Sequence, residues 1–304
     1  MTNPLLQNEN RILPALVTPL TPDGQLDAKS AERLIEHLYQ KGVGGLYVTG
    51  STGEGIYLDF EIRKRIVEIA CRLSKGRGNV IVHVGAIQGA KAAELAIHAG
   101  KVGADAVSSI PPFAGGYSFD EVKAFYADLA KQSPLPVVAY YIPGLTGQHH
   151  SIVNLASLLK LPNIAGFKFT DPNFYTMQRL LTRFSSEQVL YNGQDEALAL
   201  GLQVGAHGGI GTTYNFMPEL IMEIFHHSRA GRYVEAVAAQ KKANDIIEAL
   251  LMHQGLAASK QILYWQGLID HPHCAAPRAL LTEPQQRQLR NALATTAIAK
   301  SLVR

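Results

Sequence analysis

The length, composition and charge of the chain narrow the classes of protein to which it can belong. Its 304 residues are 47% hydrophobic, which is enough for a large core, and α/β barrels often reach this length as one domain. A net charge of +3, with no basic run and no interleaved aromatics, argues against a nucleic-acid partner and suits an anionic small molecule.

The first residues of the chain, its apolar stretches and its cysteines do not indicate export or membrane insertion. The first ten residues lack a basic start and an apolar run, and no stretch of about 18 uncharged apolar residues follows. Cys71 and Cys274 lie far apart without metal-type spacing, so we interpret both as structural residues in a reducing compartment. We therefore expect a cytoplasmic protein with no membrane partner.

Short apolar runs alternate with longer helical segments along most of the chain, as in parallel strands joined by crossover helices. The helical segments, such as 27–42, 59–76 and 118–133, carry apolar residues three and four positions apart and begin with Asp or Ser. The predicted strands are residues 12–19, 45–50, 79–86, 106–112, 136–143, 164–170, 188–193 and 208–215. Eight β/α units predict a (β/α)₈ TIM barrel over residues 1–230, with its active site at the carboxyl ends of the strands.

After the eighth strand the pattern contains only helices. The first of them is expected to close the barrel, and the others to form a C-terminal helical extension over residues 231–304. The predicted helices cover residues 217–230, 232–254, 257–269 and 283–300.

The second strand ends in "GSTGEG", residues 50–55. This stretch has neither the ending of a P-loop nor the spacing of a dinucleotide fingerprint, which argues against nucleotide binding. Ser51 and Thr52 offer hydroxyl and N–H groups in a tight turn, an arrangement that suits a carboxylate. An ordinary glycine turn is the alternative.

The fifth strand, "PVVAYYIP", offers a proton carrier. If Tyr140 points into the barrel, Ala139 and Tyr141 face the helices. Neighbouring strands lie about 4.8 Å apart, so this phenol can reach a side chain on strand six and carry protons there. A tyrosine that only fills the core is the alternative.

The sixth strand, "IAGFKFT", places a lysine in a buried segment. Phe167 and Phe169 would face the helices, so Gly166, Lys168 and Thr170 would face the interior. Desolvation favours the uncharged amine, which is a nucleophile toward ketones and forms a Schiff base without a metal or an organic cofactor. The alternative is a lysine paired with an interior carboxylate.

The seventh and eighth strands end in "YNGQDEA" and "GGIGTTYN". Asp195 and Glu196 can hold a polyhydroxylated substrate at the rim, or cap a helix that starts near residue 196. Gly211 and Thr212 lie where many barrels bind phosphate, but no Lys or Arg is near them in the sequence. A phosphorylated substrate is therefore disfavoured.

The histidines do not indicate a metal site. Residues 149–150 and the "HPHC" of residues 271–274 have no further ligands at metal-type spacing, so both are interpreted as surface loops. His83 on the third strand is interpreted as a core residue.

The motifs "GSTGE", "YYIPGLTG", "GFKFT" and "YNGQDE…GGIGTTYN" together resemble the dihydrodipicolinate synthase and N-acetylneuraminate lyase family of class I pyruvate aldolases, over nearly the whole chain. The resemblance implies that Lys168 forms the Schiff base with pyruvate and that Tyr140 transfers protons. It also implies that Ser51 and Thr52 hold the pyruvate carboxylate.

Within the family, the resemblance is to the lyase branch. Synthases carry an arginine for a second carboxylate where this chain has Leu145. Many relatives have a tyrosine after strand four that reaches a neighbouring subunit, where this chain has Ala114, with Tyr117 three residues further on. Thr170 would lie near the reacting carbons. The residues expected at the glycerol-like end of the substrate are Gly193, Asp195, Glu196, Gly211 and Thr212.

The resemblance implies a homotetramer that splits N-acetylneuraminate reversibly into pyruvate and N-acetylmannosamine. Two alternatives stay open. One is a pyruvate aldolase acting on a shorter 2-keto-3-deoxy sugar acid, and the other is a non-catalytic sugar-acid sensor.

Overall fold

The computed structural model describes residues 3–112, 115–253 and 255–303, so Ala114 lies outside the described residues. Within them, eight short strands form one parallel sheet. The strands are β1 (Ile12–Pro14), β2 (Gly45–Val48), β3 (Asn79–His83), β4 (Ala106–Ser109), β5 (Val137–Tyr141), β6 (Ile164–Phe169), β7 (Val189–Asn192) and β8 (Gly208–Gly211).

The sheet curls into a barrel. Its strand order is β1-β8-β7-β6-β5-β4-β3-β2, and all seven ladders are parallel. A bridge between Ala15 and Tyr47 joins the two ends, where the Leu16 N–H donates to the Tyr47 carbonyl at 2.9 Å. The predicted (β/α)₈ TIM barrel is confirmed.

Helices follow the strands as their apolar spacing predicted. They are α1 (Ala28–Gln40), α2 (Phe60–Ser74), α3 (Gly89–Lys101), α4 (Phe119–Gln132), a short α5 (Pro143–Thr146), α6 (Ile152–Leu159), α7 (Phe174–Phe184) and α8 (Leu198–Gln203). Asp27 caps α1 by accepting from the Ser30 N–H, and Ser118 forms a capping box with Glu121. These caps satisfy backbone donors that have no partner inside their helices.

The predicted strands extend too far at their carboxyl ends. Residues 12–19 yield only Ile12–Pro14, and residues 213–215 form a 3₁₀ turn instead of continuing the eighth strand. The reason is that these residues leave the ladder to bind one another. The Asn215 amide donates to the carbonyls of Ala15 and Thr212 and accepts from the Val17 N–H.

The core has an outer layer between strands and helices and an inner layer within the barrel. Alternation along β6 assigns Phe167 and Phe169 to the outer layer, as predicted. At the amino-terminal side, a 3₁₀ turn (Pro4–Leu6) inserts the fully buried Leu5 into the inner layer. Arg11 holds this turn by donating from Nε to the Leu5 carbonyl at 3.0 Å.

In the described residues after β8, the regular elements are helices and 3₁₀ turns. The helices are α9 (Pro218–Arg229), α10 (Tyr233–Leu251), α11 (Gly255–Trp265) and α12 (Glu283–Leu293), with a last 3₁₀ turn at Ala299–Ser301. Helix α9 packs on β1 and α8, and α10 packs on α8, α9, α11 and α12. The division of the chain at residues 230 and 231 stays a prediction. None of the helices in the described residues combines the length and hydropathy needed to span a bilayer.

Candidate active site

The predicted lysine lies inside the barrel. Lys168 is in β6, level with Tyr140 of β5, and only 5% of it is exposed. Its Nζ lies 4.1 Å from the ring centroid of Tyr140, so the ring of this strand-five tyrosine contacts the tip of the lysine. Nζ also lies 4.5 Å from the ring centroid of Tyr47 in β2.

Lys168 is not held by a carboxylate. In the part of the chain that the structure describes, no Asp or Glu forms an ion pair with it. The alternative of a lysine paired inside the core is therefore wrong for the described residues. Because the amine contacts two aromatic rings and no carboxylate among the described residues, it can condense with a carbonyl without first breaking an ion pair.

The backbone of Tyr140 is held by a hydrogen bond to a side chain of helix α4. Its N–H donates to the Tyr126 hydroxyl at 3.3 Å, and that hydroxyl donates to the Ser109 carbonyl at 2.8 Å. Val138 and Tyr140 belong to the inner layer, whereas Ala139 and Tyr141 belong to the outer layer, as the alternation predicted. The Tyr140 phenol is thus placed beside the amine by backbone hydrogen bonding and strand geometry.

The turn after β2 is framed by two non-glycine residues with left-handed backbones. Thr49 has φ 58° and Glu54 has φ 57°, a region that is unfavourable for a β-branched residue such as Thr49. The Thr49 hydroxyl donates to the His83 carbonyl at 2.7 Å and so ties the turn to β3. The sequence contains no signal for this strained conformation.

Ser51 and Thr52 occupy this turn, Ser51 exposed and Thr52 buried. Among the described residues, no hydrogen bond uses the backbone N–H of either one. The Thr52 and Thr212 hydroxyls are 2.6 Å apart, so the structure brings together the predicted residues after β2 and β8. Unpaired N–H groups beside a hydroxyl are the donors that a carboxylate needs.

A buried ion pair anchors the same turn to the C-terminal helices. The Lys260 Nζ donates to Glu54 Oε2 at 2.5 Å and to the His273 carbonyl at 2.7 Å, and the Ala275 N–H donates to Glu54 Oε1. Both side chains of the ion pair are fully buried. Residues 271–274 form a half-buried loop, as predicted outside the helices, and its His273 carbonyl is one of the acceptors of the buried lysine.

Asp195 and Glu196 differ in their environments. Asp195 is buried, and its Oδ2 accepts from the N–H and the hydroxyl of Thr213, both at 2.8 Å. Glu196 is exposed at the rim. Neither side chain caps the following helix, whose N-cap is Ala197, so the capping alternative is wrong. Gly211 packs directly on Asp195, because a Cβ at Gly211 would lie 2.2 Å from Oδ1.

Thr170 and Gly193 lie against each other at the ends of β6 and β7. The Thr170 Oγ1 is buried without a hydrogen-bond partner among the described residues. A Cβ at Gly193 would lie only 1.9 Å from this oxygen, so glycine is required to leave the hydroxyl in place. An open cavity of about 700 Å³ adjoins Thr170 and is lined by Leu145, Asp171 and Gln194 among others. Its volume is in the range of small-molecule sites.

We expect Asp195 to make stability depend on pH. Burial raises its pKa from 3.8 to about 6, against the opposing hydrogen bonds of Thr213. Between these two values the folded state binds the proton more tightly than the unfolded state, so stability should fall as pH rises. In the unsubstituted protein, the free energy of unfolding measured with urea should fall by up to about 1.4 kcal/mol per pH unit across this window because of Asp195. Asp195→Asn should lose this contribution. The exposed control Glu196→Gln should keep it, and equal slopes in all three proteins would contradict the assignment.

Sequence reasoning missed Tyr47 and Thr49. Strand alternation contained a signal for Tyr47, because Leu46 and Val48 face the helices. His83 is a core residue, as predicted, and its Nε2 accepts from the Ile110 N–H at 3.1 Å. Among the described residues, no group of three or more His, Cys, Asp or Glu side chains is arranged to hold a metal ion.

Comparison with known proteins agrees with this geometry. Residues 8–296 match the Dihydrodipicolinate synthetase family. The chain is 34% identical to the N-acetylneuraminate lyase of Enterobacter sp. (strain 638), over 96% of each chain. It is 36% identical to N-acetylneuraminate lyase 2 of Escherichia coli O6:H1, over 88% of this chain and 87% of that one.

Solved structures give the same result. The Ruminococcus gnavus sialic acid aldolase superposes with a TM-score of 0.90 at 29% identity, covering 96% of this chain and 98% of that one. A Clostridium difficile protein solved with mannosamine superposes with a TM-score of 0.89 at 29% identity, covering 94% and 98%. The fold, the buried amine and these relatives define a carbon–carbon lyase of the class I aldolase type. The chain belongs to the Dihydrodipicolinate synthetase family.

Proposed function

We propose that this protein cleaves N-acetylneuraminate reversibly into pyruvate and N-acetylmannosamine through a Schiff base on Lys168. The observation that carries the proposal is the placement of the Lys168 amine. It lies inside the barrel, free of any carboxylate among the described residues, and in contact with the ring of Tyr140. The names of the relatives supply the substrate, and Leu145 supports it, since no cation stands there to bind a second carboxylate.

The reaction uses one nucleophile and repeated proton transfers. The Lys168 amine adds to the C2 ketone, and loss of water gives an iminium. The C3–C4 bonding pair then moves toward the iminium while the C4 hydroxyl gives up its proton, which releases the amino sugar and leaves an enamine. Protonation at C3 and hydrolysis release pyruvate and restore the amine. The Tyr140 phenol would carry these protons, because its ring contacts the nitrogen to which the reacting carbons are joined.

The substrate carboxylate would bind at Ser51 and Thr52, whose N–H groups have no other partner among the described residues. The Thr170 hydroxyl, also unpartnered there, would bind near the reacting carbons. Glu196 is exposed at the rim and can accept from the sugar hydroxyls, whereas Asp195 would position Gly211 and Thr212 through its bonds to Thr213.

A substrate panel coupled to pyruvate detection tests the proposal. We expect fastest pyruvate release from N-acetylneuraminate and slower release from 2-keto-3-deoxy sugar acids with fewer carbons. Preference for the shorter acids would favour another aldolase on the same barrel. Binding of the sugar acid without any pyruvate release would favour a sensor and overturn the proposal.

Gly193→Ala should weaken binding of the long substrate while leaving the Schiff base intact. The new Cβ would displace the Thr170 hydroxyl, and loss of one hydrogen bond should raise KM for N-acetylneuraminate about five- to tenfold. Borohydride trapping of pyruvate on Lys168 should proceed at the normal rate. Gly89→Ala is the matched control, because a Cβ there meets no atom within 4 Å. An unchanged KM in Gly193→Ala would place the substrate elsewhere.

We also propose a soluble cytoplasmic homotetramer. Ile56, Tyr57, Ile87 and Tyr117 are exposed, and several of them line one shallow apolar pocket beside the carboxyl ends of β3 and β4. Burying such side chains against another copy of the chain would stabilise an oligomer. Sedimentation analysis should give the mass of four chains, and a monomer at micromolar concentration would contradict this part of the proposal.

A further inference from the structure

The nitrogen of Lys168 contacts two aromatic rings, those of Tyr140 and Tyr47. The proposed proton transfer gives a role to Tyr140 only. Tyr47, from the opposite side of the barrel, presents its ring to the nitrogen at 4.5 Å from the centroid. The two rings are nearly perpendicular, at 85°, with their centroids 6.2 Å apart. The His83 ring completes this group, 6.2 Å from the centroid of Tyr47 and 6.4 Å from that of Tyr140.

The Tyr47 ring is held rigidly in this position. Its side chain is fully buried, and its hydroxyl donates to the Ser108 hydroxyl at 3.0 Å. Gly50 packs on the ring edge, because a Cβ at Gly50 would lie 2.5 Å from Tyr47 Cε1. The backbone of Tyr47 is paired on both sides, with Ile81 of β3 and with Ala15. The hydroxyl therefore points away to β4, and the ring face is what meets the lysine.

Two titratable groups near Lys168, His83 and Asp195, could compete with the aromatic rings for its nitrogen. Burial lowers the pKa of His83 to about 3, and the charges of Arg63 and Lys168 act in the same direction, so His83 is neutral at physiological pH. Asp195 interacts with Lys168 only weakly, because the charge of Lys168 is the smallest of the influences on the pKa of Asp195. Neither group competes with the rings for direct contact with the nitrogen.

A ring face suits a nitrogen that changes its charge during catalysis. The amine is neutral when it attacks, whereas the protonated carbinolamine and the iminium are cations. An aromatic face attracts a desolvated cation without accepting a hydrogen bond that must later be broken. A ring face also favours the ammonium of the resting lysine, but more weakly than a carboxylate in contact with it would.

We propose that the ring face of Tyr47 stabilises the iminium on Lys168, so that Tyr47 is a further catalytic residue of this site. The inference rests on the proposed Schiff-base function. The Tyr47 hydroxyl only orients the ring through Ser108. The stabilisation acts at the step in which the nitrogen becomes positive. Weakening the ring face should therefore lower kcat more than it raises KM.

Replacing Tyr47 by phenylalanine and by increasingly fluorinated phenylalanines tests the proposal. Fluorination weakens the negative ring face with little change in shape. Tyr47→Phe should retain adduct formation within about threefold, and the rate should then fall stepwise by about tenfold across the series. The rate is measured by borohydride trapping of pyruvate on Lys168, and kcat and KM by pyruvate release.

The same series at Tyr191 is the matched control. Tyr191 is fully buried and level with Lys168 on β7, but its ring makes no such contact with the nitrogen. Fluorination there should leave the trapping rate unchanged. If the wild-type chain traps pyruvate but the Tyr47 series shows no dependence on fluorination, the role of Tyr47 is overturned alone. If the wild-type chain traps no pyruvate, the Schiff-base function fails and this inference fails with it.

Discussion

Lys168→Arg is expected to abolish pyruvate release, with kcat lower by about four orders of magnitude or more, as when other covalent nucleophiles are removed. A guanidinium is always protonated and cannot attack a ketone, although it keeps the positive charge and much of the length of the side chain. The variant should also give no borohydride-trapped adduct with pyruvate.

Lys160→Arg is the matched control for this experiment. Lys160 is exposed after α6, so its replacement should leave activity and adduct formation unchanged. Thermal unfolding of both variants should confirm that the fold is retained. Activity surviving in Lys168→Arg, or an adduct mapped to another lysine, would remove the proposed mechanism.

Breaking the buried ion pair between Glu54 and Lys260 should cost more stability than the loss of any surface pair. Both side chains are fully buried, and each has one further hydrogen bond to a backbone group. Glu54→Gln or Lys260→Met alone leaves one buried charge without its partner, at a cost of about 3–5 kcal/mol. The double variant removes both charges and should recover much of that loss.

The measurement is a double-mutant cycle by urea unfolding, and strong non-additivity is the expected result. The surface residue Glu94, which pairs with Lys64 and Lys91, provides the control, since Glu94→Gln should cost less than about 1 kcal/mol. Additive losses at Glu54 and Lys260 would mean that the two side chains act independently. Because Glu54 borders the turn that holds Ser51 and Thr52, the single variants should also raise KM for pyruvate in the synthetic direction.

Much of the site was predictable because it depends on local rules. Alternation along β6 placed Phe167 and Phe169 in the outer layer and left Lys168 inside. The carboxyl ends of parallel strands meet at one face of a barrel, which gathered Ser51, Thr170 and Asp195 at the same end. The lengths of the strands were predicted wrongly. At the end of β8, the Asn215 side chain donates to the carbonyls of Ala15 and Thr212, so these residues do not continue a strand ladder.

The sequence by itself determined the barrel, the order of its strands and the inward direction of Lys168, because apolar periodicity and strand alternation act over a few residues. Only the tertiary structure decided which groups surround that lysine. The Tyr47 ring, the contact between Thr52 and Thr212, and the ion pair between Glu54 and Lys260 join residues 100 or more positions apart. Such contacts depend on how the strands close and tilt, and no short stretch of sequence encodes that geometry.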